Sequence, residues 1–245
     1  WPEGDPVDRV RFENIAGRTM QRLGYYPEGY VRYCPPNYGK WWKQNEGGFE
    51  WYQWMYDGRK SAHDDFLNFV KSLDSKEGVV ESLLDVGCGL AVGYADAFAD
   101  RRYVGIDLSG KEAEWCRQNH PNQKHAYITG DVIQEQPEEK FDVVFSQGTI
   151  DNSYDMDAML RAMVSCSKGW IYLTAYRGWF PDLPEHRYTW SEDTTCFYND
   201  ISPKIVREVL ESLGCSNIEI TPLDMGDREG NPIRYETRIV ARVCG

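Results

Sequence analysis

Residues 79–91 run from an apolar stretch, Val79-Val80-Glu81-Ser82-Leu83-Leu84, through Asp85-Val86 into Gly87-Cys88-Gly89-Leu90-Ala91. An apolar run of this length bounded by glycines is a buried strand, and a strand buried on both faces belongs to a parallel sheet covered by helices. Glycines directly after such a strand let the backbone turn tightly and come close to a ligand. The helix expected to begin near Ala91 would point its electropositive N-terminus at the same place. The chain is therefore constrained to an α/β fold with a binding crevice at this strand's C-terminal end.

The rest of the sequence supplies the remaining layers. Further strands are expected at 103–108, 125–130, 140–146 and 169–176, alternating with helices. Ser109 and Glu112 have capping-box spacing for a helix over 109–119. Met156, Met159, Leu160, Met163 and Val164 share one face of a helix over 155–166, a packing stripe. Ser202, Pro203 and Gly214 mark the N-cap, first turn and end of a helix burying Ile205, Val206, Val209, Leu210 and Leu213. Two strands near 217–222 and 234–243 follow with no helix between them, so they should pair antiparallel. The expectation is a doubly wound, seven-stranded mixed sheet whose last strand is antiparallel.

Two segments fall outside that repeat. Residues 1–78 hold an expected helix at 8–23, an aromatic stretch, and a helix over 62–73 capped by Ser61. Residues 176–200 form a long loop after the fifth strand. Of 34 aromatic residues, 14 lie in 1–56 and nine in 170–198, too many for solvated linkers. They are expected to form a lid over the domain at 79–245, with 176–200 an insertion bordering the substrate pocket.

Asp107 follows Gly87 by twenty residues, at the end of the second strand, where a carboxylate can accept both ribose hydroxyls. A dinucleotide fingerprint would need glycine at position 92, where Val92 stands. The blander roles are a turn cap for Asp85 and a helix N-terminal charge for Asp107. With these residues in place, the chain resembles the class I S-adenosylmethionine-dependent methyltransferases, which have a Rossmann-like fold. Their D/E-x-G-x-G-x-G turn matches Asp85 to Ala91, with Ala91 replacing the third glycine. The resemblance spans about 79–244. It implies that Asp85, Gly87, Cys88, Gly89, Asp107, Leu108, Asp131, Val132 and Ser146 bind S-adenosyl-L-methionine, with Asp107 on the ribose and Asp131 meeting the adenine amine. A nicotinamide-dependent oxidoreductase or epimerase, or a non-catalytic nucleotide-binding module, remains the alternative.

A methyl acceptor with an O–H or N–H nucleophile must also lose a proton. Placement after the fourth and fifth strands makes Asp151 and His186 the expected catalytic pair, with His63 a weaker candidate. His120 and His125 fall away from the crevice, and no cluster demands a metal. The chain has 39 acidic and 27 basic residues, a net charge of −12, and no basic stripe. That surface disfavours DNA or bulk RNA, since phosphate binding rests on basic contacts. A small polar acceptor, such as a sugar or nucleotide-linked sugar, is expected instead. The mean hydropathy of −0.62 and the lack of a long apolar run leave no membrane span. The chain opens on Trp1 without a signal-like segment, and its seven scattered cysteines suit a reduced, cytoplasmic protein.

Overall fold

The computed structural model describes residues 6–17, 19–20, 23, 31–44, 47–226 and 234–244. The strands are β1 (Ser82–Val86), β2 (Arg102–Asp107), β3 (His125–Thr129), β4 (Phe141–Gln147) and β5 (Ser167–Ala175). A short ribbon, β6 (Trp190–Ser191) with β7 (Cys196–Phe197), precedes β8 (Ser216–Asp224) and β9 (Tyr235–Arg242). The main sheet has the order β3-β2-β1-β4-β5-β9-β8. Strands β1 to β5 pair parallel, while β9 runs antiparallel to both β5 and β8. Six strands thus share one direction and β9 opposes them, as the strand–helix alternation implied. The order reverses beside β1, so the crevice at a doubly wound sheet's switch point opens there.

The helices are α1 (Pro6–Phe12), α2 (Lys40–Gln44), α3 (Phe49–Gly58), α4 (Lys60–Lys76), α5 (Tyr94–Ala97), α6 (Gly110–Asn119), α7 (Met156–Cys166) and α8 (Pro203–Ser212). A π-helical turn, Glu13–Gly17, extends α1, so only part of the helix expected at 8–23 is seen among the described residues. Alternate strand residues face opposite layers. Leu84, Val104 and Val144 pack under the methionine stripe of α7 and under Val206 and Leu210 of α8. Leu83, Tyr103, Val143, Phe145 and Tyr172 pack on the other side against Phe66, Val70 and Leu73 of α4. Asp155 caps α7 by accepting from Ala158 N, and Ser202 caps α8 by accepting from Ile205 N.

Two local expectations are corrected. Helix α4 starts at Lys60 with Arg59 as its N-cap residue, so Ser61 lies inside it; the preceding helix α3 runs almost directly into α4 and fixes its entry. The Ser109–Glu112 capping box does not form, because Asp107 Oδ1 already accepts from Ser109 N and Glu112 Oε1 accepts from Tyr52 O–H. Asp142 accepts from Glu81 N, Ser82 N and Ser82 O–H and pairs with Lys168, pinning β4 to the start of β1.

Helix α4 forms a covering layer of the sheet. Phe66 is fully buried, stacks on Phe145 with centroids 4.1 Å apart, and meets Tyr172 at 4.9 Å. Phe66→Ala is expected to cost about 3–5 kcal/mol by losing this burial and leaving a cavity. Urea denaturation checks this as a lowered midpoint at unchanged slope.

Candidate functional site

A cavity crosses the C-terminal ends of β3, β2, β1 and β4. Its strand-end wall includes Asp131 and Val132, then Asp107 and Leu108, then Asp85 to Leu90, then Gln147 to Thr149. The facing wall includes Tyr38, Trp42, Tyr52, Met55, Tyr56, Arg59 and His63, all from the segment before the sheet.

The turn after β1 is held by backbone and carboxylate together. Gly87 has φ +77° and donates its N–H to Ile106 O at 2.8 Å. Gly89 has φ +49° and donates to Asp107 Oδ2 at 2.9 Å, while Asp107 Oδ1 accepts from Ser109 N at 2.9 Å. A Cβ on Gly89 would fall 2.6 Å from Tyr52 Cε1, and one on Gly87 would strike Thr149. Both glycines are therefore required by conformation and by close packing. Ala91, where the resemblance calls for glycine, sits at φ +52°, a left-handed conformation that costs a side-chain-bearing residue roughly 1–2 kcal/mol.

Three carboxylates stand along the cavity. Asp131 accepts from Ile133 N and Tyr154 O–H, and burial raises its pKa. Burial also raises Asp107, against the backbone donors that stabilise its charge. Asp85 is 2% exposed, accepts from Tyr103 O–H at 2.6 Å, and is pushed up to about 7, chiefly by burial.

Of the residues expected to bind a cofactor, Asp85, Gly87, Cys88, Gly89, Asp107, Leu108, Asp131 and Val132 line this one cavity. Ser146 does not. It is fully buried and donates from Oγ to Val86 O at 2.8 Å, bracing β4 against the turn from below.

The expected catalytic pair lies outside the cavity wall. His186 Nε2 contacts Asp157 Oδ1 at 3.1 Å, and its Nδ1 accepts from Ser202 N at 2.9 Å. Both ring nitrogens are thereby used in tying the 176–200 segment to α7 and to the start of α8. Asp151 is fully buried in the turn after β4, accepts from Tyr176 N and Arg177 N, and is pushed up to about 7 by burial. It anchors the end of β5. Loop placement after a strand could not reveal that these side chains turn inward. His63, by contrast, does line the cavity, stacked on Tyr56 at 4.3 Å with Nδ1 paired to Tyr94 O–H. Burial, then Arg59 and Lys60, lower its pKa to about 3, so it is neutral near pH 7.

No spacing signal marks Arg59, Tyr52 or Tyr56, which come from outside the glycine motif. Arg59 donates from Nε and Nη2 to the two oxygens of Glu236 at 2.8 and 2.5 Å, from Nη2 to Thr174 Oγ1, and from Nη1 to Gln147 O. Burial opposes its charge, but Glu236 outweighs that and holds the guanidinium protonated. Among the described residues, no three His, Cys, Asp or Glu side chains form a metal-binding group. No helix among them is long and apolar enough to cross a membrane.

The family model described as a methyltransferase domain matches residues 84–172. A curated relative, phosphoethanolamine N-methyltransferase of Triticum aestivum, is 33% identical over 99 residues. That match covers 38% of this chain and 19% of the relative, so the chain spans about a fifth of that protein's length. Among solved structures, magnesium protoporphyrin IX methyltransferase from Synechocystis with bound S-adenosylmethionine superposes with a TM-score of 0.56 at 15% identity, covering 100% of both chains. An S-adenosylmethionine-bound amino pentose methyltransferase from Micromonospora echinaspora gives 0.55 at 18% identity, covering 79% of this chain and 96% of that one. At these identities the structural likeness is one of fold.

Two expected outcomes follow from the buried ionisable groups. A carboxyl whose pKa is higher folded than unfolded binds its proton more tightly in the folded state. Stability from that group is therefore present below about pH 4–7 and declines as pH rises through that window. Asp85→Asn should flatten this part of the decline, so the variant gains on the parent chain between about pH 4 and pH 7 in urea denaturation. His186→Ala should lower stability by about 1–3 kcal/mol, because Ser202 N loses its buried acceptor. Calorimetric affinity for S-adenosylhomocysteine should stay unchanged in that variant.

Proposed function

We propose that this chain, whose residues 84–172 match a family model described as a methyltransferase domain, is of the class I, S-adenosylmethionine-dependent type and transfers a methyl group to an oxygen or nitrogen of a small polar metabolite. The observation that carries the reading is the row of Asp131, Asp107 and Asp85 at the ends of three adjacent strands along one cavity. Bound there, S-adenosylmethionine would supply an activated methyl group on a cationic sulfonium. A line of carboxylates complements that positive charge. Asp131 would accept from the adenine amine and Asp107 from the ribose hydroxyls, each using lone pairs left after its backbone contacts. Gly87 and Gly89 let the chain approach between them, next to the amino-acid end.

For the acceptor, Tyr38, Trp42, Tyr52 and Tyr56 offer aromatic faces with polar edges, suited to a sugar or an amine-bearing metabolite. The phosphoethanolamine and amino pentose named for the relatives are small polar acceptors of that kind. Residues 1–78 and 176–200 act in this reading as the wall that closes over the acceptor and excludes water. Neutral His63 can hydrogen-bond the acceptor, but an imidazole with its pKa near 3 is a poor proton store. The chain's contribution is therefore alignment and desolvation, with the proton leaving to solvent. The unpaired thiols fit a cytoplasmic setting.

Titration of S-adenosylhomocysteine tests the reading. The parent chain should bind it, and Asp107→Ala should lose charge-assisted bonds worth roughly 2–3 kcal/mol, about 30- to 150-fold in affinity. No binding to the parent chain, or tight NAD binding in its place, overturns the reading.

A further inference from the structure

We infer that Arg177 and Arg187, drawn together by Asp200 beside the cavity, form a site for a phosphate group, and that the methyl acceptor is accordingly a phosphate ester. The inference rests on the reading proposed above and narrows its acceptor to one chemical class.

Asp151 assembles the parts. It sits in the helical turn after β4, and its neighbour Asn152 lines the cavity. The Asp151 carboxylate accepts from Tyr176 N and Arg177 N, and its carbonyl accepts from Asn199 N at 2.8 Å. The chain just past β5 and the chain just before α8 are thus both fixed to the turn that ends at the cavity. Asn152 Nδ2 also donates to the Tyr176 hydroxyl at 3.2 Å, so the wall continues from Asn152 through Tyr176 to Arg177. Arg187 arrives from the other side. Its N–H donates to Asp200 O, and Asp200 N donates back to its carbonyl.

Asp200 is buried and faces two guanidinium groups. Its Oδ2 accepts from Arg187 Nη1 at 2.9 Å, while its Oδ1 lies 3.6 Å from Arg177 Nε, an ion pair too long for a hydrogen bond. One carboxylate cannot neutralise two arginines, so the group keeps a net positive charge. Tying down the segment does not require it, because the two backbone bonds between Arg187 and Asp200 already do that. The donors are also largely unengaged. Each guanidinium carries five N–H groups in a planar fork, and among the described residues the two side chains make one hydrogen bond, from Arg187 to Asp200. Arg177 Nε is buried, yet its side chain is 39% exposed, so its outer edge is the part that meets solvent; the Arg187 side chain is 62% exposed. Two forks side by side with open edges match the oxygens of a phosphate monoester.

Charge then selects the ligand. The chain carries a net −12, and the strand-end wall of the cavity adds Asp131, Asp107 and Asp85. Such a surface repels an anion, so a phosphate ester needs a local cation in order to settle beside the cavity. A neutral sugar or a cationic amine would gain nothing from this pair. Neither arginine is part of the cavity lining. Their charge is therefore kept away from a bound sulfonium, and the other end of the acceptor is left to enter past Asn152.

Calorimetric titration of the S-adenosylhomocysteine-loaded chain with glucose 1-phosphate, inorganic phosphate and glucose tests the assignment. The parent chain should bind both phosphates in the millimolar range or tighter, and glucose more weakly than its phosphate. Arg177→Gln and Arg187→Gln should each weaken both phosphates about 5- to 10-fold, and the double variant about 30-fold or more, with S-adenosylhomocysteine affinity within about twofold of the parent. Arg177→Lys keeps the charge but loses the fork, so it should fall between the parent and Arg177→Gln and guards against misfolding. Binding of inorganic phosphate without glucose 1-phosphate would mark an anion patch closed to esters and overturns the acceptor class. Absence of phosphate binding in a parent chain that binds S-adenosylhomocysteine, or equal binding in the double variant, overturns the phosphate site alone. Failure of the parent chain to bind S-adenosylhomocysteine overturns the methyltransferase reading and the acceptor assignment with it.

Discussion

The Asp107 carboxylate, held between Gly89 N and Ser109 N, is the contact on which the cavity's form depends. Its two oxygens join the turn after β1 to the start of α6. The strand ends that border the crevice are thus fixed relative to each other, not merely adjacent. The turn is under conformational demand at Gly87, Gly89 and Ala91, all with positive φ. Ordinary side chains would relax such a segment into another path. Asp107 and the Ile106 carbonyl keep it closed by taking the N–H groups that the turn exposes. The same carboxylate is the residue proposed for the ribose, so holding the site's shape and binding its ligand are one task.

Much of this could be read from the chain because strands obey simple periodicity. Strands β1 to β5 are short apolar runs with glycine, aspartate or serine at their ends, and Pro203 and Gly214 bracket α8 as expected. Parallel strands must be covered on both faces, which made the layer order legible as well. The candidate cofactor residues were legible for the same reason, since strand ends on one edge of a parallel sheet necessarily converge. Ser146 shows the limit of that logic. One residue before the cavity-lining Gln147, it faces the opposite way and braces Val86 O.

What stayed hidden is set by long-range contacts. His186 and Asp151 occupy loops at the correct end of the sheet, but their side chains satisfy buried backbone donors at Ser202, Tyr176 and Arg177. Whether a loop carboxylate faces a ligand or its own backbone depends on where the next 30 residues travel, and no local pattern records that. The Trp- and Tyr-rich stretch announced burial without saying against what. Helix α3 inside it escaped notice because its aromatic residues do not repeat at one helical face as clearly as the Phe66, Phe69, Val70 and Leu73 stripe of α4.

The two halves of the cavity therefore divide by chemistry. The strand ends offer chiefly carboxylates and close backbone, the side proposed for the cofactor. The preceding segment offers Arg59, neutral His63 and aromatic rings, groups that can read a neutral or anionic partner. Arg59 joins the two halves. It comes from the junction of α3 and α4, yet its guanidinium spans Glu236 of β9, Thr174 of β5 and the Gln147 carbonyl of β4. A buried ion pair of this kind adds little net stability over an apolar contact, but breaking one partner leaves an uncompensated charge. The aromatic segment is consequently held in one register against the sheet. Under the proposed function, acceptor choice and cofactor geometry are in that way separable within one cavity.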